Sequence, residues 1–136
     1  MSLIDAIYRT NYVLADQLIM NGCGLDDTYL SGCTPLMLLL LYPENRKGKY
    51  KLFLVFIAKL IDAGADVNIK NDDGKTALIY SMCFNRSIYT VRMLIDAGAD
   101  VNIKNNYGKT ALIYAVKKNV RYSFIDAVKM LIEADF

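Results

Sequence analysis

The twelve residues LIDAGADVNIKN occur twice without a change, at Leu60–Asn71 and again at Leu94–Asn105. A second shared word, GKTALIY, follows each copy, at Gly74–Tyr80 and Gly108–Tyr114. The offset between copies is 34 residues, the length at which one helical supersecondary unit repeats along a chain. A fainter copy precedes them. Leu18-Ile19-Met20-Asn21-Gly22 aligns with Leu60–Gly64, and Gly32-Cys33-Thr34-Pro35-Leu36 with Gly74–Leu78, at an offset of 42 residues.

The local chemistry of each copy predicts two helices and a tight reversal. Thr34, Thr76 and Thr110 each stand at the head of an apolar run, where a hydroxyl can accept a hydrogen bond from the free amides of a first helical turn. Pro35 follows Thr34 at the first helical position, which needs no donor. First helices are expected over about Pro35–Tyr42, Ala77–Phe84 and Ala111–Lys118. Second helices follow over about Lys51–Ala63, Ile88–Ala97 and Tyr122–Ala134, with apolar residues at helical spacing (Val91, Leu94, Ile95; Ala127, Val128, Leu131, Ile132). Gly64 and Gly98 close the second helices, where a left-handed residue is easiest for glycine. Gly74 and Gly108 then turn a polar connection back on itself. Leu3–Arg9 and Val13–Asn21, closed by Gly22, read as a degenerate first pair. One such pair cannot bury its apolar face alone, so the pairs must stack.

Composition narrows the function. The chain has 136 residues, 54% of them apolar, and a net charge of +2; it can bury a core and is too balanced for a dedicated nucleic-acid surface. It contains no histidine, which removes imidazole acid–base chemistry, histidine-containing triads and histidine-ligated metals. Cys23, Cys33 and Cys83 form neither an even set nor a CxxC pair, as expected of small apolar residues in a reducing compartment. No apolar run approaches the roughly 20 residues of a membrane span, and MSLIDAIYRT lacks the marks of a signal peptide. The expectation is a cytoplasmic protein with no cofactor and no membrane or nucleic-acid partner. The Asp26-Asp27 and Asp72-Asp73 pairs fall on turns, where such side chains usually bond their own backbone. The GKT words echo a phosphate loop, but Ile69 and Ile103 stand where its first glycine belongs.

Gly-Lys-Thr-Ala-Leu, a helix pair and Gly-Ala-Asp-Val-Asn together resemble the ankyrin repeat. The match runs through Gly74, Thr76, Ala77, Leu78 and Gly98–Asn102, through Gly108, Thr110, Ala111 and Leu112, and through Gly32, Thr34, Pro35, Leu36 and Gly64–Asn68. The resemblance implies an all-α solenoid of four stacked helix-turn-helix pairs joined by β-hairpin-like loops, a single domain with repeats at about 1–30, 31–72, 73–106 and 107–136. It departs from the family where the histidine after T-P-L is replaced by Met37, Ile79 and Ile113, whose place must be taken by packing or other bonds. About nine extra residues, 43–51, lengthen the second repeat, and the fourth is longer around 119–122.

The resemblance also implies the function: a non-catalytic module, a regulatory or host-directed adaptor, that binds another protein through hairpin tips and first helices forming a concave surface. Transferred by motif, that surface holds Leu30, Cys33 and Tyr42 in the second repeat; Lys70, Asp72, Asp73, Lys75 and Phe84 in the third; and Lys104, Asn106, Tyr107, Lys109, Lys117 and Lys118 in the fourth. Residues 1–45 carry one basic and five acidic side chains, and residues 101–136 six basic and three acidic, so an acidic partner is expected to prefer the C-terminal half. At the ends, Asp5, Arg9, Asp16 and Gln17 are expected to give the first pair a polar outer face. Val128, Met130, Leu131, Ile132 and Phe136 repeat an interior pattern and are expected to leave an apolar C-terminal face. That face supplies the alternative, a structural unit that forms a homodimer or stacks through its C-terminal helix pair.

Overall fold

The computed structural model describes residues 1–41, 50–83, 88–117 and 122–135. Eight α-helices run along them: α1 Leu3–Tyr8, α2 Tyr12–Met20, α3 Pro35–Leu41, α4 Tyr50–Asp62, α5 Ala77–Cys83, α6 Ile88–Asp96, α7 Ala111–Lys117 and α8 Tyr122–Ala134. Among the described residues there is no β-strand; an isolated bridge joins Tyr29 and Cys33. The expected ends at Tyr42, Phe84 and Lys118, and the insertion at 43–49, lie outside the described residues.

The local signals act as the sequence predicts. Ser2 caps α1 reciprocally: the Asp5 N–H donates to Ser2 Oγ at 3.1 Å, and the Ser2 N–H donates to Asp5 Oδ2 at 3.2 Å. Asn11 Oδ1 accepts from the Leu14 N–H at the head of α2 (3.2 Å). Thr34 Oγ1 accepts from Met37 N (3.3 Å) and Thr76 Oγ1 from Ile79 N (3.4 Å); among the described residues no such bond joins Ile113 to Thr110. Gly64 and Gly98 end α4 and α6 at φ +99° and +91°, in the region where an L side chain is strained.

The helices pack as two rows. α1, α3, α5 and α7 lie side by side, and α2, α4, α6 and α8 form a second row behind them. The core runs unbroken through the middle of the stack. Every residue of α3 from Pro35 to Leu40 is buried, and every residue of α5 from Ala77 to Met82. This is why PLMLLLL and ALIYSM carry no amphipathic stripe: a central inner helix has a neighbour on both flanks and an outer helix behind. The outer helices keep one apolar face, with Phe56, Ile57 and Leu60 on α4 and Thr90, Val91 and Leu94 on α6 buried. Met37 and Ile79, at the histidine position, are each 1% exposed; apolar packing takes that place.

The first pair shows the expected polar outer face in part: Arg9 and Gln17 are exposed. Asp16 instead turns to an ion pair with Lys59 of α4, beside a Tyr12–Phe56 ring stack at 5.4 Å between centroids. Val13 and Met20 are left exposed. At the other end the apolar face is present but only partly on the expected residues, of which Ile132 is exposed. Leu131 is buried and Val128 and Met130 are half-buried, whereas Ile113, Val116, Ile125 and Ile132 are exposed. Phe136 lies outside the described residues.

Candidate docking surface

The hairpin tips are built from two buried asparagines that repeat at the same place. Asn71 Oδ1 accepts from the N–H groups of Asp73 (3.1 Å) and Lys75 (2.8 Å), while its Nδ2 donates to the Tyr80 hydroxyl at 2.8 Å. One repeat later Asn105 Oδ1 accepts from Tyr107 and Lys109, both at 3.0 Å, and Nδ2 donates to the Tyr114 hydroxyl at 2.8 Å. Backbone bonds close the same turns, Asn71 N to Lys75 O and Asn105 N to Lys109 O, each at 2.9 Å. Each asparagine therefore fixes its hairpin and ties it to its own first helix. The sequence reading missed these residues. The available signal was that an asparagine recurs five positions before the threonine, and a tyrosine four after it, in both strong repeats.

Successive tips then bond to one another. The Asp72 N–H donates to Ser31 O and the Asn106 N–H to Asp73 O, both at 2.9 Å; Asn106 Nδ2 adds a bond to Asp72 O at 2.8 Å. A Cβ on Gly74, at φ +74°, would come within 2.9 Å of Asn106 N, so glycine is required there by both turn and neighbour. The closing GADVN segments are also bridged: Asn68 Nδ2 donates to Gly98 O (3.0 Å) and its Oδ1 accepts from Asp100 N (2.7 Å). In the first junction Asp26 Oδ1 plays that part, accepting from Asp66 N at 2.8 Å. The expectation that Asp26 would serve its own turn is corrected, because the next repeat brings an unpaired amide within reach. At the 72–73 turn Asn71 does the work assigned to the aspartates.

On this frame the expected surface residues take their places. Leu30, Lys70, Asp72, Asp73, Lys104, Asn106, Tyr107 and Lys117 are exposed, with Leu30 at 72% and Tyr107 at 73%. Lys75 and Lys109 are half-buried because their stems lie along tyrosines: the Lys75 ammonium is 5.7 Å above the Tyr80 ring, and that of Lys109 5.9 Å above Tyr114. Cys33 is corrected. It is 4% exposed, and its Sγ packs 3.5 Å from the Tyr80 hydroxyl; too short to reach out as Lys75 does from the equivalent position, it belongs to the core. Burial, with the Cys33 contact, pushes the Tyr80 phenol above its ordinary range. Tyr42, Phe84 and Lys118 lie outside the described residues. Lys109 and Lys117 come together, and the nearby Lys109 ammonium holds Lys117 below the usual lysine range. Among the described residues no carboxylate pairs with either of them.

Two rows of short helices carrying a ladder of stacked hairpins define a helical-repeat solenoid. A family model for ankyrin repeats (3 copies) matches residues 47–136, and the chain belongs to the ankyrin-repeat family. No curated protein matched the chain. Ankyrin repeats are in general protein–protein interaction modules. No helix among the described residues is long and apolar enough to cross a membrane, and no group of three or more cysteine or acidic side chains gathers there as a metal ligand set would.

Proposed function

We propose that this chain is a non-catalytic docking module, a regulatory or host-directed adaptor, whose hairpin tips and inner helices α3, α5 and α7 receive another protein. The supporting observation is the tip ladder. Side chains at equivalent positions of successive turns are held in register by backbone bonds from Asp72 to Ser31 and from Asn106 to Asp73, so a partner meets a preorganised row and little ordering entropy is lost on binding. Leu30, Tyr107 and the lysines are the side chains offered; tyrosine flanked by charge is a residue type that anchors interfaces. The test places a photoreactive phenylalanine at Tyr107 or at Tyr89, both exposed tyrosines, the first on a tip and the second on outer helix α6. Crosslinks to a discrete protein in native cells from position 107, and not 89, are expected; crosslinks confined to 89 contradict the reading.

One observation favours the second reading, self-association. Ile79 and Met82 are 1% and 7% exposed under the following repeat, whereas their equivalents Ile113 and Val116 are 37% and 60% exposed. Light scattering decides it: self-association predicts a dimer that Val116→Lys abolishes, and a monomer at high concentration rejects it. Leu131 is unsuitable for this test, since it is buried and a charge there would unfold the helix pair.

A further inference from the structure

Aligning the last three repeats on the inner face shows a gradient. Cys33, Leu38 and Leu41 in the second repeat correspond to Lys75, Tyr80 and Cys83 in the third, and to Lys109, Tyr114 and Lys117 in the fourth. Across the row of inner helices the same three positions thus hold no lysine, then one, then two. The lysines are placed rather than scattered: Lys75 and Lys109 lie over tyrosine rings whose hydroxyls are pinned by Asn71 and Asn105, which fixes ring and ammonium together. At the far end the Lys109 ammonium acts on Lys117 and holds it below the usual lysine range, and among the described residues neither pairs with a carboxylate, a local excess of positive charge that a partner's carboxylates would relieve. At the near end Leu41, half-buried at the end of α3, offers apolar surface.

We infer that the inner face binds an extended acidic segment of a partner protein, its apolar residues toward α3 and its carboxylates between Lys75, Lys109 and Lys117. The inference rests on the docking reading above and adds the partner's chemistry and direction. A protein segment is favoured over nucleic acid because the net charge is only +2, too balanced for a surface that tracks a phosphate chain. Neighbouring inner helices are about 8–10 Å apart, so three of them span roughly 20 Å, matched by about six residues of extended chain.

The probe is a fluorescein-labelled peptide, Leu-Ser-Leu-Ser-Glu-Ser-Glu, whose alternate residues face one side when extended; its control has glutamine for both glutamates. Fluorescence anisotropy with the full chain is expected to show saturable binding, at least tenfold weaker for the glutamine control. Tenfold weakening is also expected for Lys109→Glu/Lys117→Glu, a smaller loss in the same direction for Lys109→Gln/Lys117→Gln, and no change for Arg92→Glu/Lys129→Glu on the outer helices, with circular dichroism confirming that each variant is folded. Raising salt from about 50 to about 200 mM should weaken wild-type binding several-fold. The inference is overturned if the wild-type chain ignores the peptide, if the lysine variants bind it equally well, or if a seven-nucleotide oligo-dT binds more tightly and is lost with the same lysines. Should position 107 crosslink a partner while the peptide fails, the docking module stands and this inference falls.

Discussion

Asn71 and Asn105 each satisfy two backbone N–H groups and a tyrosine hydroxyl from a buried position. Removing a carboxamide that serves partly buried donors leaves each of them short of a partner, at about 1–3 kcal/mol per group. Asn71→Ala is therefore expected to cost about 3 kcal/mol in urea unfolding, and Tyr80→Phe about 1 kcal/mol because it removes one acceptor and keeps the ring. A loss below about 0.5 kcal/mol for Asn71→Ala would show that the turn holds itself. At the other end of the chain, hydrogen bonds from Ser2 lower the Asp5 carboxyl below its usual value of 3.8. A folded value below the unfolded one stabilises the protein above about pH 4, and that contribution disappears as the pH falls through the lowered folded value. Ser2→Ala should thus flatten the acid limb of a stability–pH curve while leaving the rest of its shape intact; an unchanged acid limb contradicts the cap.

At the scale of elements, what separates one hairpin from the next is whether another stacks on it. Gly74 and Gly108 share nearly the same φ, +74° and +72°, yet a Cβ at Gly74 meets Asn106 and Asn105 backbone while one at Gly108 meets nothing within 4 Å. Gly108→Ala is expected to cost about 1 kcal/mol, the conformational strain alone, and Gly74→Ala at least about 2 kcal/mol more. Equal losses by thermal unfolding would mean the tips are not in contact. The helices themselves were legible because the pairs carry their own starts and stops: threonine before the first helices α3, α5 and α7, glycine after the second helices α2, α4 and α6, and apolar spacing between. The described bounds of α3–α8 lie within one residue of those read from the sequence. What joins the elements was not legible. The turn of Asp16 to Lys59, the reach of Asp26 to Asp66 and the burial of Cys33 beneath Tyr80 depend on which residues a neighbouring repeat brings close, and a linear pattern does not carry that. The lysine positions were visible, but the action of Lys109 on Lys117 needed the hairpin and α7 to be folded together.

For the molecule as a whole, stacking makes stability a sum of units and their interfaces, and the core has no seam at which the middle repeats could separate. Ile57→Ala, at a fully buried site on α4, is expected to cost about 2–5 kcal/mol. Unfolding should remain a single transition by circular dichroism and by tyrosine fluorescence, since α4 touches α2, α3 and α6. The docking account likewise depends on one continuous wall: if the tips moved independently, the lysine row would have no fixed spacing to offer. Amide hydrogen exchange at Asp72 and Asn106 tests this most directly. Both residues have exposed side chains, yet each N–H is bonded to the carbonyl of the preceding tip. The account predicts that these two amides exchange about as slowly as those of the core of α5, close to the global unfolding limit. Exchange at the rate of an open surface loop would contradict it.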